Sequence, residues 1–362
     1  MSNLKIYFLV EWLKNKPKTW SGTNWGLYTA LLRKALVKDI NLNKNFIERV
    51  GGRIWSLFDM GIAKIKRQRN YARRVICNTE EGQVLQFAEV LFDSSHLKTY
   101  IYQDLSVSYI EYMAKYIPNV FAVSAFGHLS IKAIERRVLI QNEYYLKCSG
   151  IYTMGKWLAN DLVDRCGVSS SKVHHVGGGI NLDKTLIDYE KKEGNKLLFV
   201  GRDFRRKGGL LCYDAFCHLK RIRPDVEFYV AGPSTNPFPK NKVSGYYFMG
   251  DCDSQKLATL FNLCDVFVMP SYFEAYGLVF IEALTFGLPC IGRNVYEMPY
   301  FIENGETGYL LDKDDVDELA NLMNQLLCDE RIKQNVKNKR DWYINEYSWD
   351  TVADRIIKAM KG

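Results

Sequence analysis

Two glutamates, Glu274 and Glu282, stand with seven residues between them in the apolar, glycine-punctuated stretch PSYFEAYGLVFIEALTFGLPCIG, Pro270 to Gly292. A surface loop would surround such carboxylates with polar neighbours; this stretch does not. Asp265–Met269 reads as a strand, Pro270–Tyr276 as the loop at its carboxyl end, and Gly277 or Leu278 as the start of a helix. Glu274 then lies on the loop and Glu282 on the second helical turn. Free backbone N–H groups at a helix start attract anions, and Gly277 lets the backbone come close to a ligand. The two carboxylates flank those amides and are placed to accept hydrogen bonds from sugar or ribose hydroxyls.

Cations to match occur at an earlier strand end. LLFVGRDFRRKGG reads as a strand, Leu197–Val200, followed by Gly201, Arg202 and, five residues on, Lys207 and Gly208. Arginine offers a planar fork to phosphate oxygens and lysine a point charge. Either one alone reads most simply as a solvated surface charge. Two cations and two carboxylates at carboxyl ends of strands in one sheet argue against that reading.

The elements that must position these residues are clearest in the second half. Short apolar runs recur at Lys196–Val200, Val226–Ala231, Tyr246–Met249, Asp265–Met269, Pro289–Ile291 and Gly308–Leu311. Helical stretches near Gly209–Ile222, Ser254–Leu263, Leu278–Phe286 and Asp315–Leu327 lie between them. Unalternating apolar strands separated by helices predict a parallel sheet covered on both faces. In the first half, Lys5–Val10 reads as a strand, Asn24–Val37 as a helix, Ile62–Arg74 and Glu80–Leu91 as helices, and Thr99–Tyr102 as a strand. Ser130–Leu146 reads as a helix, and Gly150–Met154 and Lys172–Val176 as strands. The glycine-then-charge segment Gly177–Gly194 marks the boundary. The expected organisation is an N-terminal domain over 1–180, a second over 181–345, and a closing helix within 346–362 that packs back on the first. The fold class is α/β: two Rossmann-like domains facing a cleft, with ligands beyond the carboxyl ends of the strands.

Taken together, these residues resemble the retaining GT-B glycosyltransferases of family 4 (glycosyltransferase group 1). The family's E-x7-E motif reads Glu274 to Glu282, and its G-R-x4-K-G motif reads Gly201, Arg202, Lys207 and Gly208. Pro270 and Ser271, and the run ENGETGYLL from Glu303 to Leu311, also match. WSGTNWGLYTALLRKAL is similar to the glycine loop and helix that open the family's N-terminal domain, with Gly22 in the loop. The resemblance implies that Arg202 and Lys207 bind the diphosphate of a nucleotide-sugar donor and that Glu282 holds the ribose hydroxyls. Glu274, with the backbone around Ala275, Tyr276, Gly277 and Leu278, would hold the sugar and stabilise the reacting centre, while Gly22 would let its loop approach the phosphate. The family often has a histidine after an N-terminal-domain strand; TYIYQDLS has Gln103 and Asp104 there. Asp104 is open to two readings, acceptor of a sugar hydroxyl or helix cap, and His128 in SAFGHLS is a second candidate for a catalytic polar group. The implied acceptor is a glycan or lipid-linked hydroxyl, in synthesis of a bacterial surface polysaccharide. A nucleotide-sugar epimerase and a non-catalytic nucleotide-sugar-binding partner subunit are the alternatives.

Composition fits this class. A hydrophobic share of 47%, with 25% charged residues, is an ordinary globular balance, and 362 residues suit two domains. The net charge of +8 suits an anionic ligand or membrane face. Nine scattered cysteines without a CxxC pair read as reduced thiols in a cytoplasmic chain, with neither disulfide framework nor zinc site. Asp251–Asp253 (DCD) and Asp312–Asp314 (DKD) look like metal motifs, but each precedes a helix, and the last aspartate of each reads better as a cap or first-turn acid. No metal and no cofactor is expected. No apolar run is long enough to span a bilayer. The stretch Lys64–Arg74 holds Lys64, Lys66, Arg67, Arg69, Arg73 and Arg74 and no acid; it reads as a solvated helix face or as a peripheral contact with the anionic inner face of the membrane. Nothing in the chain signals nucleic-acid binding.

Overall fold

The computed structural model describes residues 4–42, 62–77, 79, 81–87, 91–190, 194–240 and 243–362. The chain divides into two compact units: Met1–Gly179 with Ser348–Gly362, and Ile180–Tyr347.

In the first unit, six parallel strands are found among the described residues: β1 (Lys5–Val10), β2 (Leu36–Asn41), β3 (Gln83–Phe87), β4 (Lys98–Gln103), β5 (Gly150–Thr153) and β6 (Val173–His175). Their order is β2-β1-β3-β4-β5-β6. Ile6 to Val10 of β1 are all buried, as a strand covered on both faces requires.

Two elements differ from the sequence reading. The helix after β1 spans Thr23–Leu32 and stops there; Leu36–Asn41 is β2, paired with β1 from Lys5↔Leu36 to Val10↔Asn41. Being an edge strand, β2 buries only Ile40 of its six residues and so lacks the apolar run that marks the interior strands. The helix expected at Glu80–Leu91 is replaced within its described part by β3, which pairs with both β1 and β4. Val84, Leu85, Gln86 and Phe87 are all buried there, and Gln86 is satisfied by Phe92 and the Tyr144 hydroxyl. Glu80 and residues 88–90 lie outside the described residues. Helices at Val107–Tyr116 and Lys156–Asp164 occupy stretches to which the sequence reading assigns no element.

The second unit follows the expected alternation closely. Its strands are β7 (Lys196–Val200), β8 (Glu227–Ala231), β9 (Tyr246–Gly250), β10 (Val266–Val268), β11 (Cys290–Arg293) and β12 (Gly308–Leu311), all parallel, in the order β12-β11-β10-β7-β8-β9. From β7 the chain runs outward one way to β8 and β9, then returns to the other side for β10 to β12. The reversal falls between β7 and β10, where doubly wound sheets open their ligand crevice.

The closing helix Trp349–Lys361 belongs to the first unit and packs on the helix Thr23–Leu32. Arg33 pairs with Asp350 at 2.9 Å and Lys34 with Asp354 at 2.8 Å. These pairs are exposed and contribute little. The fit depends on Trp349, whose indole occupies the space that a side chain at Gly26 or Gly179 would need: a Cβ would meet ring atoms at 2.2 and 2.5 Å. Gly26→Val is expected to lower the stability of this unit by about 1–3 kcal/mol or more, while Leu32→Ala, at an exposed position of the same helix, changes it little; calorimetric melting of the full chain checks both.

Candidate active site

The switch between β7 and β10 brings the two sequence motifs together. The loop 201–208 leaves the carboxyl end of β7, the loop 269–277 leaves that of β10, and the two strands are neighbours in one sheet. Glycines make the approach possible. A Cβ on Gly208 would sit 2.5 Å from the Pro270 carbonyl oxygen, and its φ of +76° is one that L side chains rarely adopt. A Cβ on Gly201 would sit 2.2 Å from Lys207 Cδ, so the lysine side chain runs over the place where a larger residue would stand.

Lys207 reaches across to Glu274, its Nζ donating to Oε2 at 2.8 Å. Both side chains keep only 14% of their exposure. Burial would push the Glu274 carboxyl up, but the attraction of Lys207, then of Arg206, outweighs it and holds the group below its ordinary range. Gly277, at φ +95°, starts the helix Leu278–Thr285 three residues after Glu274. The first turn of that helix presents N–H groups with no intrahelical acceptor beside the Lys207–Glu274 pair. Ala275 and Leu278 are half-buried, whereas Tyr276 turns its ring inward, edge-on to Phe301 at 5.1 Å. Only the backbone of Tyr276 is placed for a ligand.

Glu282 lies deeper, 8% exposed, and accepts from the backbone N–H of Asn181 at 3.4 Å. Burial pushes its carboxyl up to about 7, against the lowering effect of the Asn181 and Leu182 N–H groups and of Lys207. Arg202 is the outlier of the motif: its side chain is 82% exposed and 3.7 Å from the Asp251 carboxylate.

Two cations near these loops, Arg206 and Arg293, were not signalled by spacing, and Asp314 has another role than the one expected. Arg206 is 17% exposed, 3.5 Å from Glu274 Oε2, bonded to Asp203 at 3.2 Å, and donates to the Phe273 carbonyl. Arg293, at the end of β11, is buried; it donates to the Pro270 carbonyl at 3.3 Å, lies over the Tyr272 ring and pairs with Asp314. Asp314 also accepts from the Tyr272 hydroxyl at 2.8 Å. This corrects the capping role expected for it: Asp315 caps the helix Val316–Cys328 through the N–H groups of Asp317 and Glu318. In the other aspartate pair, Asp253 does cap its helix, accepting from Lys256 N. The only available signal for Arg206 is its place beside Lys207 in a three-cation run, and for Arg293 a cation at the end of an apolar strand.

The candidates in the first unit lie apart from each other in the chain and in the elements that carry them. Gly22, φ +93°, starts the helix Thr23–Leu32 in the loop after β1, preceded by Trp20 and Ser21, both also at positive φ. Backbone of this kind is strained for Trp20 and Ser21 and is most often kept at ligand sites. Asp104 follows β4 directly and is half-buried. Ser106, accepting from Tyr109 N at 3.0 Å, caps the next helix, so the capping alternative for Asp104 falls. Gln103 is buried and exchanges hydrogen bonds with the Tyr145 hydroxyl. His128 is exposed in the turn between the helices Pro118–Val123 and Ile131–Lys147, away from any strand end in the chain. Of the basic stretch, on the helix Ile62–Ile76, Lys64, Lys66, Arg73 and Arg74 are exposed and Arg67 and Arg69 half-buried; Lys64 pairs with Glu11 at 2.6 Å. Among the described residues no helix is long and apolar enough to cross a membrane.

The switch point thus gathers Lys207, Arg206 and Glu274 beside the start of the helix Leu278–Thr285. Residues 187–349 match the family described as glycosyl transferases group 1. That match falls almost wholly within the second unit, Ile180–Tyr347. An uncharacterised 41.2 kDa protein of the cps region of Klebsiella pneumoniae is 30% identical over 207 residues, 53% of this chain and 52% of that one. The phosphatidyl-myo-inositol mannosyltransferase of Mycolicibacterium smegmatis is 24% identical over 57% of this chain and 56% of its own length. The chain thus spans about half the length of the curated relatives it matches. The likeness in structure extends further. Sucrose-phosphate synthase from Thermosynechococcus elongatus superposes with a TM-score of 0.71 at 16% identity, over 99% of this chain and 98% of its own. The fold is therefore the two-domain α/β fold of the GT-B glycosyltransferases.

The opposite shifts of the two glutamates give opposite pH signatures. For Glu282, the folded chain holds a proton that the unfolded chain loses between its ordinary 4.5 and about 7, so its contribution is present below this window and is lost as pH rises through it. Glu282→Gln is expected to gain on wild type by on the order of 3 kcal/mol between pH 4.5 and 8. For Glu274 the contribution is present at neutral pH and is lost as pH falls through its depressed range. Glu274→Gln is expected to be less stable than wild type at pH 7, with the gap closing in acid. Melting temperatures of the ligand-free proteins across pH check both signs.

Proposed function

We propose that this protein is a retaining, metal-independent glycosyltransferase. It moves a sugar from a nucleotide-diphosphate sugar to a hydroxyl of a glycan or lipid-linked acceptor. The observation that carries this reading is the Lys207–Glu274 pair beside the start of the helix Leu278–Thr285, at the switch point of a parallel sheet. When the bond between the anomeric carbon and the β-phosphate oxygen breaks, its electron pair leaves with the nucleoside diphosphate. In this reading Lys207, Arg202 and the helix start stabilise the charge that grows there, which is how a preorganised site lowers a barrier. The acceptor oxygen forms the new bond on the same face, and its proton passes to the leaving phosphate oxygen; no histidine base is needed for that step.

Protein cations here supply the charge stabilisation that a divalent ion supplies elsewhere. In the same reading Glu274 holds sugar hydroxyls and Glu282 those of the ribose. The cps-region relative supports a role in surface polysaccharide synthesis. A lipid-linked acceptor suits the exposed cations Lys66, Arg73 and Arg74, which would meet an anionic membrane face from the cytoplasmic side.

The test is a thermal-shift screen with UDP, GDP, ADP, CMP and dTDP on wild type and on Arg202→Ala/Lys207→Ala. A ligand that binds the native state raises its melting temperature. One diphosphate is expected to stabilise wild type and not the double variant, and Lys207→Ala alone is expected to lose about ten- to a hundredfold in affinity or turnover. No stabilisation by any of the five, with or without magnesium, defeats the reading.

A further inference from the structure

A phosphate group arriving at Lys207 finds its charge already used. The ammonium is 2.8 Å from the Glu274 carboxylate, and both are largely shielded from water. Drawing Lys207 onto a diphosphate would leave Glu274 as a poorly solvated, unpaired carboxylate, a state that folded proteins pay several kcal/mol to avoid. A second cation must be at hand, and Arg206 is the one in position. Its Nη1 is 3.5 Å from the same Glu274 Oε2. Asp203 holds it at 3.2 Å, and it donates to the carbonyl of Phe273, the residue before Glu274. Its own carbonyl accepts from Tyr272 N at 2.9 Å and from the Ser271 hydroxyl at 3.4 Å. Side chain and backbone of one residue thus grip four successive residues of the loop that carries Glu274.

We propose that Arg206 is a positioning residue: it fixes the Glu274 loop against the β7 loop and becomes the partner of Glu274 when an anionic ligand takes Lys207. It acts through Glu274 and touches no reacting atom. The ligand half of this inference rests on the donor-binding reading above; the exchange of partners does not.

The exchange is tested without ligand. Full-length wild type, Arg206→Gln, Lys207→Ala and the double variant are melted at pH 7. Each single variant leaves Glu274 one cation, so the double variant is expected to lose more than the sum of the single losses, by about 2–4 °C. Repeating the set on Glu274→Gln is expected to remove the excess, and Arg206→Lys in the Lys207→Ala background to recover much of it. Loss of packing alone would give neither result. Arg206→Met, which keeps the stem and removes the charge, carries the comparison if Arg206→Gln does not fold. Additive losses, or an excess that survives Glu274→Gln, overturn the proposal. Titration calorimetry with UDP, GDP and ADP then tests the ligand half. Arg206→Gln is expected to weaken whichever diphosphate binds wild type by about tenfold, and equal affinity overturns the ligand half. Should none of the three bind wild type, nor any of the five in the thermal-shift screen, the donor reading fails while the melting cycle still decides the role of Arg206.

Discussion

The half-buried ion pair between Lys207 and Glu274 is the constraint around which the second unit is arranged. Neither charge is well solvated, so each needs an opposite charge at hand. Their meeting requires β7 and β10 to be neighbours, although β8 and β9 lie between them in the chain. Bare backbone is required at the crossing as well. Gly208 meets the Pro270 carbonyl, Gly201 lies under the lysine stem, and a Cβ on Gly232 would stand 2.7 Å from the carbonyl carbon of Gly201. The fold thus spends its smallest residues where two loops and a side chain share one small volume.

Around that pair the charges are graded by access to water. Arg202 reaches outward into solvent, beside the Asp251 carboxylate. Lys207 and Arg206 lie further in and share one carboxylate. Glu282, deepest of the set, shares the environment least able to bear a charge and has its carboxyl raised accordingly. Behind the loop, Arg293 ties Pro270, Tyr272 and Asp314 together, so the segment carrying Glu274 is supported from the β11 side too.

Much of the second unit was legible in the sequence because interior parallel strands are short apolar runs with no other plausible use. All six of those runs became strands, and Lys207 and Glu274 announced themselves by spacing at two strand ends. The first unit was harder for identifiable reasons. β2, LVKDIN, is an edge strand whose polar residues face outward, and only Arg33–Ala35 separate it from the preceding helix. β3 keeps a polar Gln86 fully inside, satisfied by a hydroxyl and a carbonyl distant from or invisible to local pattern. Arg206 was hidden beside its neighbour: spacing selects Lys207, and only the three-dimensional path of the side chain shows which adjacent cation turns inward. Asp314 was misassigned by one residue, since Asp315 reaches the helix amides and leaves Asp314 to Arg293.

The helix Trp349–Lys361 carries a consequence for how the chain is made. The first unit is not one continuous piece of sequence: residues 180–347 are inserted before its last helix. The two ends of that insert are joined by a hydrogen bond from Ile180 N–H to the Tyr347 carbonyl at 2.8 Å, so the second unit can close on itself as a lasso. The first unit has no such independence. The glycine sockets at Gly26 and Gly179 stay unfilled until Trp349 has left the ribosome, long after the strands they sit beside have been synthesised. The first unit can therefore complete its packing only after the whole of the second has been synthesised.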